Sequence, residues 1–220
     1  MKIIGVGLNK TGTKTLRHCF LNWGFRHRSY DLNAFESFRS GNIEALLTEM
    51  ESYDSFEDWP WPLMYREIDA RFPEAKFILT IRKTPEHWYQ SLCKMAVRMG
   101  PLNDFEKHIY GFSMPQGQRK HHIEYYRRFN EEVEFYFRDR PEKLLKICWE
   151  DGEDQSKRLA HFLGQPEIQS DPPKLNESLP VYAGDSLWRA HLSRIVFQTK
   201  WKIIQFCKRI KRGINRRIGR

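Results

Sequence analysis

Nine residues near the amino end, Gly7-Leu8-Asn9-Lys10-Thr11-Gly12-Thr13-Lys14-Thr15, combine glycines with ammonium and hydroxyl donors. They follow a short β-branched run, Lys2-Ile3-Ile4-Gly5-Val6. They precede Leu16, Cys19, Phe20 and Trp23 at helical spacing, so the segment reads as strand, loop, helix. At such a junction the backbone N–H groups and the helix dipole favour an anion. A plain tight connection accounts for Gly12 but not for Lys10, Thr11, Thr13, Lys14 and Thr15, whose donors suit phosphate or sulfate oxygens. The triphosphatase pattern G-x-x-x-x-G-K-[ST] fails by one residue. Gly7 and Gly12 are correctly spaced, but Thr13 stands at the lysine position and the lysine is displaced to Lys14. Lys10 lies inside the turn, within reach of a group being transferred, whereas Lys14 is either a ligand or a solvated helix lysine.

A second charged position sits at the end of the clearest strand, Ala75 to Arg82, after which Thr84 and Pro85 open a helix as N-cap and first residue. Asp31, Asp58, Glu57 and His27 are the candidates for a general base. Asp31 and Asp58 are both expected at the sheet's carboxyl edge, as base, cap or surface acid. Trp59 and Trp61 line an acceptor site or fill the core. His121 and His122 are adjacent on a helix, point apart and read as surface residues. Without an H-E-x-x-H or C-x-x-C pattern, no metal and no disulfide framework is expected.

The elements that must position these groups alternate. Phe25 to Tyr30 reads as a second strand and Leu32 to Tyr53 as mostly helix. Trp59-Pro60-Trp61-Pro62 interrupts regular structure, and a helix runs from Leu63 to Phe72. Residues 116 to 138 form a long amphipathic helix, Leu144 to Trp149 a last strand, and Gln155 to Leu163 a helix stopped by Gly164. Residues 98 to 120 read as a variable lid and 165 to 185 as a linker. Alternation of this kind implies an α/β fold of three layers, a central parallel sheet with helices on both faces.

Composition agrees. The chain of 220 residues is 40% hydrophobic and carries 37 Lys+Arg against 28 Asp+Glu. Residues 186–220 hold eleven of the basic residues and no acid, so residues 1–185 are slightly acidic. That argues against a globally basic nucleic-acid binder, and no nucleic acid is expected as partner. The division expected is a nucleotide-binding domain over 1–185 and a basic amphipathic helix over 186–220. The amino end is too short in apolar residues for a signal peptide and no 18-residue apolar run occurs, so the cytoplasm is the expected compartment.

Lys10-Thr11-Gly12-Thr13 together with the strand ending in Arg82 resembles the sulfotransferase family, which uses 3′-phosphoadenosine 5′-phosphosulfate (PAPS) as co-substrate. The resemblance extends through Phe56 to Pro60, Phe72 to Thr80 and Glu150 to Gly164, over about residues 1–176. It implies a P-loop-like nucleotide-binding fold in which Lys10 is catalytic and Lys10, Thr11, Gly12, Thr13, Lys14 and Thr15 hold the 5′-phosphosulfate. Arg82 and Ser91 would hold the 3′-phosphate; Ser91 lies one residue further from the arginine than the family commonly shows. Acceptors implied are a hydroxyl or amine on a small molecule, glycan or lipid. An ATP-dependent kinase and a silent membrane-associated nucleotide-binding protein are the alternatives. Against the kinase, Arg82 stands where a magnesium-holding acid is wanted. The tail, with Trp188, Leu192, Ile195, Val196, Ile203, Phe206, Ile210 and Ile214 between Lys and Arg, suits docking on the domain or a peripheral contact with an anionic membrane over 187–220.

Overall fold

The structure is a computed structural model that describes residues 1–100, 105–152, 154–168 and 181–200. Its contacts group the chain into two units, Met1–Trp88 with Glu124–Glu177, and Tyr89–Ile123 with Ser178–Arg220.

The first unit is built on a parallel sheet of β1 (Ile3–Gly5), β2 (His27–Arg28), β3 (Ser55–Phe56), β4 (Lys76–Ile81) and β5 (Leu144–Cys148), in the order β2-β3-β1-β4-β5. Register places Ile3 beside Lys76, Gly5 beside Ile78 and Ile78 beside Leu145, so alternate residues of β1, β4 and β5 share a face. On one face Ile3, Ile78 and Ile147 pack on Leu16, Cys19 and Phe20 of α1 (Thr13–Asn22) and on Leu159 and Leu163 of α8 (Asp154–Leu163). On the other, Phe77 meets Phe137 of α7 (Arg119–Phe137) with ring centres 4.6 Å apart, and Phe137 in turn meets Tyr65 of α4 (Tyr65–Arg71). Helices on both faces bury a sheet whose central strands read as continuous apolar runs, as parallel sheets require. Cys19 and Cys148 are buried and unpaired.

Two expectations for this unit are corrected. The helix expected over Leu32 to Tyr53 is two, α2 (Leu32–Arg39) and α3 (Ile43–Met50), because Gly41 takes a left-handed φ of 79° between them. A two-residue strand, β3, stands just before Glu57 where none was expected, and it inserts between β1 and β2.

The second unit contains α5 from Tyr89 onward (α5, Pro85–Met99), α6 (Phe105–Tyr110), the first turn of α7 and the helical residues 187–200. The expected lid is ordered around α6 and a turn at 115–118. There the Tyr89 hydroxyl meets the Pro115 carbonyl and the Asp185 carboxylate, and the Gly117 N–H donates to Asp185 at 2.7 Å. Ala190 packs with Ala96, Val97 and Met114, so one side of the 187–200 helix is docked within this unit. His122 is a correction: it is buried beside Tyr89, Tyr110 and Phe112, and burial lowers its basicity. His121 is exposed. The expectations for 101–104, for most of the 165–185 linker and for 201–220 lie outside the described residues. No helix among the described residues is long and apolar enough to cross a membrane.

Candidate active site

β1 leaves the sheet toward β2 and β4 leaves it toward β5, in opposite directions. A crevice therefore opens between their carboxyl ends, the place where α/β sheets accept ligands. The Gly7–Thr15 turn lies at that crevice. A Cβ on Gly7 would fall 2.0 Å from the Thr80 Oγ1 and 2.4 Å from the Thr80 carbonyl, so only glycine lets the turn pass β4. A Cβ on Gly12 would fall 2.3 Å from the Trp149 ring, at a φ of 99°.

Three successive carbonyls of the turn are held from behind. The Thr11 hydroxyl donates to the Leu8 carbonyl at 2.6 Å, the Trp88 Nε1–H to the Asn9 carbonyl at 2.9 Å, and the Arg82 Nε–H to the Lys10 carbonyl at 2.6 Å. A trans peptide points its N–H opposite to its C=O, so the N–H groups of Asn9, Lys10 and Thr11 face away from these anchors. α1 then follows Gly12 without a side-chain cap; the Thr15 N–H turns back to the Gly12 carbonyl at 3.0 Å, whereas the N–H groups of Thr13 and Lys14 precede any intrahelical acceptor. The result is a run of N–H groups at the positive end of a helix, a setting for phosphate or sulfate. Thr11 is buried and its hydroxyl is spent on Leu8 and on Thr80, 2.7 Å away, which leaves its N–H as what it can offer an anion. Thr13 is also buried, Thr15 and Lys10 are partly exposed, and Lys14 is exposed.

Arg82 is brought directly to this turn. Besides its bond to Lys10, its Nη1 donates to Glu150 at 2.9 Å, and its backbone N–H donates to the Tyr126 hydroxyl at 2.8 Å. Tyr126 stacks on Trp88 with ring centres 4.6 Å apart, so one aromatic pair steadies both the turn and the end of β4. Thr84 caps α5, its hydroxyl accepting the His87 N–H at 3.1 Å. Ser91, partly exposed on α5, belongs to the second unit.

Only two residues besides glycines hold a left-handed backbone among the described residues, Lys10 at φ 69° and Asp58 at φ 63°. Each such conformation costs about 1 to 3 kcal/mol and persists where the surroundings enforce it, most often at functional sites. Asp58 follows β3, is half-buried, and accepts the Trp59 N–H at 2.9 Å. Withdrawal from water, reinforced by the neighbouring Glu57 carboxylate, pushes the Asp58 carboxyl up to about 7 against the Trp59 N–H and the ammonium groups of Lys10 and Lys14. Those two lysines are thus close enough to act on its charge. Glu57 is buried, receives the Ser29 hydroxyl, and lies 3.5 Å from His27 Nε2. Asp31 is engaged differently: it caps α2 through the Ala34 N–H at 2.8 Å and pairs with Arg28 at 3.2 Å. Trp59 and Trp61 are core residues, 1% and 0% exposed. Among the described residues no three His, Cys, Asp or Glu side chains gather as a metal site would.

Sequence reasoning missed Thr80, Trp88, Tyr126, Trp149 and Glu150. Trp88 and Tyr126 look like ordinary core aromatics, and nothing in their spacing announces that their polar ends hold the turn and the arginine. Glu150 lies 68 positions from Arg82, beyond any local pattern.

A comparison with curated proteins finds no match. The sequence profile of the sulfotransferase domain, however, matches residues 2–179, a stretch that contains the Lys10 turn, β4 with Arg82, and Asp58. The chain belongs to the sulfotransferase domain family.

Proposed function

We propose that this sulfotransferase-family chain uses PAPS as donor and delivers its sulfuryl group to a hydroxyl or amine on a small molecule, glycan or lipid. The observation that carries the reading is the 2.6 Å bond between Arg82 and the Lys10 carbonyl, which brings the anion-binding turn and a guanidinium suited to a second phosphate into one crevice. The uncapped helix start suits the phosphosulfate group.

The donor supplies an activated sulfuryl group on a phosphate leaving group. The chain has little covalent chemistry to perform in a loose in-line displacement of this kind; it positions reactants and neutralises charge. Lys10 offers its ammonium to the oxygen on which charge develops as the bond to sulfur breaks. The N–H groups from Thr11 to Lys14 and the Thr15 side chain hold the remaining oxygens, and Arg82 is assigned to the ribose 3′-phosphate. Asp58 takes the acceptor proton, because a carboxyl poised near neutrality and within the electrostatic reach of Lys10 is matched to that task, whereas Asp31 is occupied as a cap. Thermal unfolding tests the donor: 3′,5′-ADP raises the midpoint and ATP with magnesium does not, since only a ligand of the native state stabilises it. Stabilisation by ATP alone would instead favour a kinase.

A second observation concerns where the protein works. Leu187, Trp188, Leu192, Ile195 and Val196 are 44 to 70% exposed on the helical residues 187–200, at a spacing that puts most of them on one side. Arg189, Arg194 and Lys200 lie among them, and residues 186–220 contain no acid. An apolar stripe edged with cations fits an anionic lipid surface, where a cytoplasmic protein binds peripherally. The full chain is expected to sediment with phosphatidylserine-containing vesicles and not with pure phosphatidylcholine. Trp188→Glu with Ile195→Glu abolishes that binding; equal sedimentation with both vesicle types rejects the reading.

A further inference from the structure

Glu150 stands in the one place where the donor site ought to be empty of negative charge. It sits in the single turn that follows β5, at Trp149–Asp151, just before Gly152 with its left-handed φ of 107°. Its Oε1 accepts from Arg82 Nη1 at 2.9 Å. Its Oε2 accepts the Lys83 backbone N–H at 2.7 Å and lies 3.7 Å from His87 Nδ1. Burial opposes its charge, but the Lys83 N–H and the Arg82 guanidinium outweigh burial and hold the carboxyl below its ordinary range. Guanidinium and backbone N–H thus converge on one anion, with the His87 ring alongside, and that anion belongs to the chain itself.

The same donors are what a phosphate would require. Two of the three nitrogens of Arg82 are already committed, Nε to the Lys10 carbonyl and Nη1 to Glu150. A ribose phosphate arriving at this guanidinium therefore meets a carboxylate in the position it needs, with like charges a few ångströms apart. We infer that Glu150 is an internal occupant of the 3′-phosphate subsite and that the donor binds by displacing it. The inference rests on the PAPS reading above. Displacement makes Glu150 the residue that sets how strongly a 3′-phosphate is favoured over a bare 5′-nucleotide. It also leaves Arg82 paired, rather than exposed to any passing anion, while the donor is absent. Gly152 gives the chain freedom for the carboxylate to turn outward.

Calorimetric titration of the full chain with 3′,5′-ADP and with 5′-AMP, which differ only by the 3′-phosphate, separates the possibilities. Glu150→Gln keeps the shape and removes the charge. It is expected to tighten 3′,5′-ADP by roughly tenfold or more while 5′-AMP changes by less than about twofold. Glu150→Ala, which removes the same charge and the side chain's reach, gives the same ranking and serves if the first variant folds poorly. Unchanged or weaker 3′,5′-ADP binding in both variants, with the wild type binding it well, overturns the occupant role and leaves the donor reading standing. Equal tightening of both nucleotides overturns it too, since the effect is then general charge. If no form of the protein binds 3′,5′-ADP, the donor reading and the occupant fall together.

Discussion

Lys10→Ala is expected to lower sulfuryl transfer by at least about 10² to 10³-fold, the loss typical when one preorganised donor is removed from a site of developing charge. The substitution leaves the backbone demand unchanged, because alanine carries the same Cβ into the left-handed conformation at φ 69°. Its unfolding midpoint should therefore match the wild type. Lys10→Gly separates chemistry from folding further. Glycine escapes a left-handed cost of about 1 to 2 kcal/mol and gives back about 0.4 to 1 kcal/mol in chain entropy, so this variant gains roughly 0.5 to 1 kcal/mol while remaining as inactive as the alanine form. Turnover is read with radiolabelled sulfate from PAPS over a mixed acceptor panel, and stability by urea titration. Lys10→Ala turnover within tenfold of the wild type would remove the lysine from the chemistry.

The second large effect is on stability. Gly7→Ala would put a methyl group 2.0 Å from the Thr80 hydroxyl oxygen and 2.4 Å from the Thr80 carbonyl, where the chain leaves the carboxyl end of β1 beside β4. Neither neighbour is the far end of a flexible side chain, so β1 and β4 must separate or the turn must rebuild. Overpacking of this kind costs about 3 kcal/mol or more, a fall of roughly 6 to 12 °C in midpoint for a chain of this size. Adding Thr80→Ala should recover only part of the loss, since the carbonyl contact remains and the bond from Thr11 to Thr80 is broken. A thermal scan showing Gly7→Ala as stable as the wild type would contradict the tight passage of the turn beside β4.

What could be read from the sequence follows the range of the forces involved. The turn and its flanking elements were legible because Ile3 and Ile4, the two glycines, and Leu16 with Phe20 express their structure within a few residues of one another. β4 was legible for the same reason, and so was Thr84 as a cap. β3 was not, because Ser55 and Phe56 are too short a run to show alternation. The helix break at Gly41 was hidden because the apolar residues of α2 and α3 keep a helical spacing across it. In the site, Arg82 could be named from its position at a strand end, but its grip on the Lys10 carbonyl depends on β1 and β4 being neighbours. The left-handed backbone of Asp58 carries no local mark at all, since aspartate only tolerates that conformation; its surroundings enforce it.

The strand order has a further meaning for how such a protein can change. Neighbouring strand ends present Asp58 after β3, Lys10 after β1, Arg82 after β4 and Glu150 after β5, in that spatial sequence across three inter-strand spacings of about 4.8 Å each. On the proposed reading, everything that touches the nucleotide lies from β1 outward in one direction, and what faces the incoming nucleophile lies from β3 outward in the other. New loops beyond β2 and β3 could retune which molecule is modified without disturbing how the activated group is carried, so diversification of the one need not erode the other.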